Sequence, residues 1–216
     1  MKTNLPYRAT LLIIGLILLS FGVTLSIHSQ LGTSPISSIP YAFSYFIPLT
    51  VGMITILMHC IFIILQMLIL GKQFKWLQWS QIILGILFGF LIDAMLYLTQ
   101  SWHFESYMIQ MLISLTSCLF TAIGIIFMVK AYLFYLAAEG LYQACVLKFG
   151  IELGRCKTIG DCILVMIAAL GSYVALNEII GIREGTIITA LLVGTLIRLL
   201  KPFFHFLDPK KLKTAL

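Results

Sequence analysis

Long apolar runs dominate this sequence of 216 residues and limit the folds that it can adopt. A helix needs about 20 mostly apolar residues to cross the roughly 30 Å hydrocarbon core of a bilayer. Five runs meet this requirement and a sixth is shorter: residues 9–27, 51–70, 80–98, 107–129, 158–176 and 185–200. We therefore expect an all-α polytopic integral membrane protein with about six transmembrane helices, in which residues 1–216 form a single transmembrane domain.

Composition supports a surface that faces lipid rather than water. Only 10% of the residues are charged, whereas 61% are hydrophobic, and a soluble domain carries about 25% charged residues. The net charge of +6 does not indicate nucleic acid, because the basic residues stand at the ends of apolar runs. Lys210, Lys211 and Lys213 lie in a C-terminal segment, residues 203–216, that is expected to be a cytoplasmic basic tail beside anionic lipid.

Two further apolar stretches are interrupted and are expected to be re-entrant or otherwise broken segments. Residues 35–48 are too few for a regular span and contain three prolines, and residues 131–147 carry Glu139 near their centre. If neither stretch crosses, 13 of the 14 Lys and Arg residues lie on one side, with Arg183 alone on the other. An excess of Lys and Arg marks cytoplasmic loops. This distribution favours six spans with both termini in the cytoplasm, and eight spans remain an alternative.

An internal repeat is suggested by shifting the sequence by 102 residues. The shift pairs Gly22 with Gly124, and Cys60 with Cys162, and it places residues 35–48 over residues 137–150. With three inserted residues, residues 82–92 also align with residues 187–197. The repeat halves are then residues 9–99 and 107–202. Three crossings in each half would invert the second copy, and inverted repeats with broken helices at matching positions are typical of transporters.

Two short motifs carry a resemblance to a known family. Residues 30–35 read Gln-Leu-Gly-Thr-Ser-Pro, and residues 185–194 read Gly-Thr-Ile-Ile-Thr-Ala-Leu-Leu-Val-Gly. With these motifs the chain resembles the YczE/YitT-like bacterial multi-span membrane proteins over nearly its whole length. The resemblance implies a multi-pass protein of the bacterial inner membrane, and it implies no particular substrate. Relatives tend to carry an acidic residue in a Gly/Pro-rich motif of the second half, which corresponds here to Glu139.

Ionisable residues inside apolar segments are the first candidates for a functional site, because placing them in a membrane costs free energy. Glu139 could bind a cation or exchange a proton, or it could instead cap a helix end or face cytoplasmic water. His59 lies in the middle of the second span and could relay protons or hydrogen-bond a substrate. The alternative for His59 is a packed side chain bonded to a neighbouring carbonyl or hydroxyl group.

The remaining candidates lie near helix ends. Ser34, Ser37 and Ser38 surround the start of the first broken segment, where hydroxyls and free N–H groups suit either an anionic group or an ordinary N-cap. Asp161 is the repeat counterpart of His59 and could cap the fifth span instead of forming a site. Asp93 lies near the outer end of the third span. These seven residues form the predicted substrate or ion pathway.

The leading functional hypothesis is secondary transport or export of a small molecule or ion, coupled to protons through Glu139 with His59. The sequence contains no HExxH, GxSxG or P-loop motif, so no enzyme activity, cofactor or ATP-driven transport is expected. The five cysteines show no zinc spacing, so no metal site is expected. The alternative is a non-transporting membrane protein that binds or regulates a partner complex. A homodimer packed through small residues such as Gly85 and Gly89 is also compatible with the sequence.

Overall fold

A computed structural model describes residues 5–207, apart from the side chain of Leu77, and all the regular structure in this range is helical. Most of the predicted basic tail, including Lys210, Lys211 and Lys213, lies outside the described residues, as does Lys2. The α-helices are α1 Leu5–His28, α2 Pro35–Phe43, α3 Val51–Leu70, α4 Ser80–Leu98, α5 Tyr107–Ala131, α6 Ala137–Phe149, α7 Leu153–Leu176 and α8 Glu184–Leu200. Short 3-10 turns occupy Gly71–Gln73, Trp76–Trp79 and His205–Leu207.

The prediction of an all-α membrane protein is confirmed. Within residues 5–207, α1, α3, α4, α5 and α7 are long and apolar enough to cross a bilayer. Helix α8 has 17 residues, which is at the lower limit for a span. Large apolar side chains point outward along these helices, for example Leu68, Val174 and Leu191, which are 71%, 82% and 71% exposed. Such side chains are favourable against lipid and would be unfavourable against water.

Helices α2 and α6 are too short to cross. They have 9 and 13 residues, which correspond to about 14 Å and about 20 Å of helix. Ser34 begins α2 as its N-cap, and Pro35 follows at a position where its missing N–H group costs nothing. In the second broken stretch, the residues after Ala131 form a connection, and the short helix extends past residue 147 to Phe149.

Helix α7 begins earlier than the sequence predicted. The expected start was residue 158, but the helix starts at Leu153, with Glu152 as its N-cap. The polar residues between Leu153 and residue 158 concealed the first turn, because the end of an apolar run is not the end of a helix when the next turn lies outside the hydrocarbon.

A close seam between α1 and α5 forms the centre of the bundle. An added Cβ atom at Gly22 would lie 2.8 Å from the backbone N of Thr121. One at Gly124 would lie 2.7 Å from the backbone N of Leu19 and 2.8 Å from the carbonyl oxygen of Gly15. Later residues of α1 therefore contact earlier residues of α5, so the two helices run antiparallel. Small residues allow backbones to approach this closely within a membrane.

Polar contacts tie the helix ends together at both ends of the bundle. At one end His28 Nε2 and Thr99 Oγ1 are 2.7 Å apart, which joins the C-terminal ends of α1 and α4. At the other end Arg8 Nε donates to the carbonyl oxygen of Ala131 at 2.7 Å, which places a positive charge at the C-terminus of α5. A cation at this position satisfies carbonyl groups that the last helical turn leaves free.

Corresponding helices of the two halves occupy corresponding positions along the chain. Helix α6 begins 102 residues after the start of α2, and α7 begins 102 residues after the start of α3. Helix α8 begins 104 residues after the start of α4. The paired starts are Pro35 and Ala137, Val51 and Leu153, and Ser80 and Glu184. Helix α2 packs against α7 as α6 packs against α3, and α4 packs against α1 as α8 packs against α5. Helices α3 and α4 pack against each other along a long seam. Within the described residues, α7 and α8 do not form a comparable seam.

We predict that Gly124→Ala lowers the stability of the protein, because the new methyl group meets backbone atoms of α1 that have no room to move. Overpacking of this kind costs about 1–3 kcal/mol. Gly194→Ala is the matched control, since no atom lies within 4 Å of its added Cβ position. The measurement is thermal unfolding of the purified protein in detergent. Equal melting temperatures for the two variants would contradict the tight α1–α5 seam.

Candidate functional site

A cavity of about 280 Å³ lies inside the bundle where α2 and α6 begin. Each of the eight α-helices described above contributes at least one side chain to its wall. The lining residues are Leu19, Val23, Ser34, Pro35, Ile36, Ser37, His59, Phe88, Thr121, Ile125, Leu136, Ala138, Glu139, Tyr142, Lys157, Asp161, Thr189, Ala190, Val193, Gly194 and Ile197. Most are apolar, and the polar groups stand at the starts of the short helices and on α3, α5, α7 and α8.

Five of the seven predicted site residues line this cavity. These are Ser34, Ser37, His59, Glu139 and Asp161, which come from α3, α7 and the starts of α2 and α6. They are far apart in sequence, and the fold brings them to one space.

Ser38 and Asp93 do not line the cavity. The Ser38 hydroxyl is fully buried and donates to the carbonyl oxygen of Pro35 at 2.7 Å. Asp93 accepts hydrogen bonds from Thr50 Oγ1 at 2.5 Å and from the backbone N–H of Gly52 at 2.8 Å. Asp93 therefore caps the start of α3 from α4, and its carboxylate satisfies N–H groups that the helix leaves free.

The two serines at the cavity complete the start of α2. Ser34 Oγ accepts from the backbone N–H of Ser37 at 3.4 Å and donates to Ser37 Oγ at 3.0 Å. The N-cap role that the sequence left open is therefore present, and the same hydroxyls face the cavity. A ligand could compete for the Ser37 hydroxyl without unfolding the cap.

Glu139 stands in the first turn of α6, and one of its carboxyl oxygens, Oε2, is buried without a hydrogen-bond partner among the described residues. The start of α6 is held by Gln66, whose Nε2 donates to the carbonyl oxygen of Ala137 at 2.9 Å and to Gln81 Oε1 at 3.0 Å. Buried polar groups in native proteins are nearly always paired. The unpaired oxygen therefore suggests a ligand or a proton.

His59 is buried, with 1% of its surface exposed, and its Nδ1 has no hydrogen-bond partner in the described part of the chain. The ring packs against α4, where an added Cβ atom at Gly85 would lie 3.1 Å from Nδ1. The rings of His59 and Phe88 have centroids 5.9 Å apart. The alternative for His59 was a hydrogen bond to a neighbouring carbonyl or hydroxyl group, and Nδ1 makes no such bond within the described residues.

Asp161 has partners of its own. Tyr142 donates to Asp161 Oδ1 at 2.8 Å, and Lys157 Nζ lies 2.9 Å from Oδ2. Lys157 also lies over the Tyr142 ring at 5.6 Å. Asp161 stands eight residues after the start of α7 at Leu153, too far along to cap its first turn. The sequence patterns did not select Tyr142 or Lys157, although Lys157 stands four residues before Asp161 and a helix places both residues on one face.

The cavity wall is built from residues that correspond in the two halves. Outside α4 and α8, where the offset differs, six pairs of lining residues are separated by 102 positions, and both members of each pair face the same space. These pairs are Leu19 and Thr121, Val23 and Ile125, Ser34 and Leu136, Ile36 and Ala138, Ser37 and Glu139, and His59 and Asp161. The 102-residue shift pairs Thr121 with Leu19, which was not a site candidate, so neither Thr121 nor Thr189 carried a sequence signal.

The cavity opens unequally toward the two ends of the bundle. On the α7–α8 side it is bordered by Lys157 and Gly194, and the Lys157 side chain is 53% exposed. On the α3–α4 side the helices are in close contact, because an added Cβ atom at Gly52 would lie 2.1 Å from the carbonyl oxygen of Gly89. Within residues 5–207 no group of three or more His, Cys, Asp or Glu residues is placed to hold a metal ion.

Comparison with known proteins identifies a family without an assigned activity. Residues 6–202 match the family described as "Family of unknown function (DUF6198)", so the match covers nearly the whole chain. No curated protein and no solved structure matches the chain.

We predict that a water-soluble thiol reagent reaches Ser34→Cys and not Ser38→Cys, in a protein from which the five native cysteines have been removed. The first thiol would face the cavity and the second would be enclosed by protein. Labelling is measured by mass spectrometry of the purified protein. No labelling of Ser34→Cys would show that the cavity does not admit water at the start of α2, and equal labelling of both thiols would contradict the enclosed position of Ser38.

Proposed function

We propose that this protein, which belongs to the family of unknown function DUF6198, is a secondary transporter or exporter of a small solute. The observation that carries the proposal is the cavity at the start of two short helices, α2 and α6, inside a bundle of membrane-spanning helices. Irregular backbone at membrane depth is tolerated only where protein or a water-filled cavity satisfies its polar groups. Discontinuous helices that meet at a central site are typical of secondary transporters.

The contacts between α1 and α5 support an inverted repeat. Gly22 contacts Thr121, and Leu19 contacts Gly124. Gly124 and Thr121 stand 102 residues after Gly22 and Leu19, so the same contact occurs twice with the partners exchanged. Such an isologous contact is characteristic of a two-fold axis. Because the two helices run antiparallel, the axis crosses them and lies in the plane of the membrane.

The proposed topology has six crossings, with α2 entering from outside and α6 from inside. The bundle end that holds Arg8 and Ala131 then faces the cytoplasm, and the end that holds His28 and Thr99 faces outward. Apart from Arg183, the Lys and Arg residues in the described chain lie toward the cytoplasmic end in this arrangement, in agreement with the positive-inside rule. The motifs shared with YczE/YitT-like proteins support placing the protein in a bacterial inner membrane.

The unequal opening of the two halves supports alternating access. Gly52 and Gly89 close the α3–α4 side through backbone contact. Their repeat counterparts, Gly154 and Gly194, stand on the open side, and no atom lies within 3.5 Å of the Cβ position of either one. A two-fold repeat allows the halves to exchange conformations, so that α7 closes on α8 while α3 separates from α4. The cavity would then open first to the cytoplasm and then to the outside.

Glu139 and His59 are the proposed coupling residues. Each carries a buried polar atom without a partner in the described chain, and both line the cavity. A proton on Glu139 neutralises a carboxylate that otherwise lies unpaired in a largely apolar space, so solute and proton compete for one group. His59 is positioned to accept or donate a proton at the same cavity.

A second candidate function is a non-transporting protein that binds or regulates a partner complex. It is favoured by an apolar groove of about 710 Å³ between α3 and α7, which is bordered by residues such as Phe43, Leu57 and Ile163. A partner helix could lie in this groove. This function requires no solute flux and no movement of α7 toward α8.

We predict that Glu139→Gln abolishes proton-coupled flux in proteoliposomes with an imposed pH gradient, because the amide cannot exchange a proton. Glu152→Gln is the matched control, since Glu152 is an exposed carboxylate that pairs with the exposed Arg155 at 3.9 Å. The measurement is the change of internal pH on addition of each member of a panel of small solutes. If no solute in the panel changes the internal pH of proteoliposomes that contain the wild-type protein, the result would favour the partner-binding function.

We also predict that Gly194→Leu blocks flux while leaving the folded protein intact. The added side chain has space in the open arrangement but would prevent α8 from closing on α7. Thr195→Leu, which alters the adjacent exposed position outside the cavity, is the control and is expected to keep wild-type flux. Equal flux for both variants, with equal melting temperatures, would contradict closure on this side.

A further inference from the structure

We propose that the substrate of this cavity is a small monovalent organic cation, whose charged nitrogen lies against Glu139 and whose apolar part fills the remaining space. The inference rests on the proposed function for the role of the cavity, and it adds the chemical class of the solute. It follows from the charge balance of the wall and from the apolar and aromatic character of the rest of the lining.

The cavity wall carries one more carboxylate than it carries basic side chains with a fixed positive charge. The titratable groups that face the cavity are His59 from α3, Glu139 and Tyr142 from α6, and Lys157 and Asp161 from α7. The other lining residues, from α1, α2, α4, α5 and α8, are not titratable. Lys157 and Asp161 form an ion pair at 2.9 Å and offset each other.

Glu139 differs in this respect from the other acidic groups of the apolar bundle. Asp93 is bound by Thr50 and Gly52, and Asp161 is bound by Tyr142 and Lys157. Glu139 Oε2 is buried and has no partner in the described chain. A buried charge is stable only when it is paired or hydrogen-bonded. A bound cation would supply the missing charge.

The wall around Glu139 suits a cation that carries apolar groups. Leu19, Val23, Ile125 and Ile197 present aliphatic surface, and Phe88 presents an aromatic ring. Aromatic faces attract organic ammonium groups. A cavity of about 280 Å³ lies just below the range for sites of drug-sized ligands, roughly 300–1,000 Å³. The solute is therefore expected to be small.

An anionic solute is disfavoured although two helix N-termini face the cavity. At α2 the Ser34 hydroxyl already accepts from the N–H of Ser37. At α6 the carboxylate of Glu139 stands in the first turn and supplies the negative charge that the helix end favours. An anion at this end would lie beside an unpaired carboxylate, so the charges would repel.

The test is equilibrium binding of radiolabelled benzyltrimethylammonium to the full-length protein in lipid nanodiscs, at fixed pH and ionic strength. Unlabelled benzyltrimethylammonium is expected to compete, whereas N,N-dimethylbenzamide and benzenesulfonate, the neutral and anionic probes, are expected to compete weakly or not at all. Glu139→Gln is expected to weaken cation binding by roughly ten-fold or more, because it removes the paired charge. Glu139→Asp should retain part of the affinity, and Glu152→Gln should retain all of it.

Variants are compared only if they elute as the wild type does on size exclusion and have similar melting temperatures. Unchanged cation binding in a folded Glu139→Gln protein, or equal competition by benzenesulfonate, would overturn the inference. Flux in proteoliposomes separates this result from the proposed function. Specific cation binding without flux of any solute would support the cation site and refute transport. Flux of another solute that Gly194→Leu blocks, with no cation binding, would support transport and refute the cation site.

Discussion

The free backbone N–H groups at the starts of α2 and α6 cannot face lipid, and the rest of the structure is arranged around this constraint. Both helices begin inside the bundle, where spanning helices enclose them and where Ser34 and Gln66 satisfy part of their polar backbone. The close α1–α5 seam brings the two halves near enough for these starts to share one space. The cavity follows from this packing, since two short helices that both begin inside the bundle leave volume that no side chain fills.

Polar groups in the bundle fall into two classes. Most hydroxyls are satisfied within their own helix, as in Thr24, Thr55 and Thr189, which donate to the carbonyl oxygen four residues earlier. These bonds make a hydroxyl inexpensive in lipid and need no further explanation. In the described chain, Thr33, His59, Gln66, Ser114 and Glu139 each keep a buried side-chain polar atom without a partner, and of these five residues only His59 and Glu139 line the cavity. Their placement in one cavity is the strongest chemical reason to assign a ligand or proton to it.

The two halves differ in how their last two helices pack, and the proposed movement depends on this difference. Most interhelical contacts in the first half have equivalents in the second, but the α3–α4 seam does not. Under the proposed inverted repeat, a second arrangement in which the two halves exchange roles would make comparable contacts. Packed interfaces tend to switch between discrete states instead of deforming gradually. Gly52 and Gly89 permit the close approach of α3 and α4, and Gly154 and Gly194 leave room for a similar approach of α7 and α8.

The helical membrane fold, the positions of the two broken segments and the 102-residue spacing could be predicted from the amino-acid sequence, because each depends on apolar length or on local breaks such as Pro35. It also selected Glu139 and His59, since ionisable groups in apolar segments are costly. It placed the start of α7 too late, because polar residues outside the hydrocarbon can still be helical. Tertiary packing alone places Ser37 at the cavity and buries Ser38, and it sets Asp93 as the cap of α3 while one carboxyl oxygen of Glu139 keeps no partner in the described chain. These outcomes depend on which neighbouring helix each side chain meets, and no pattern within a single helix records that.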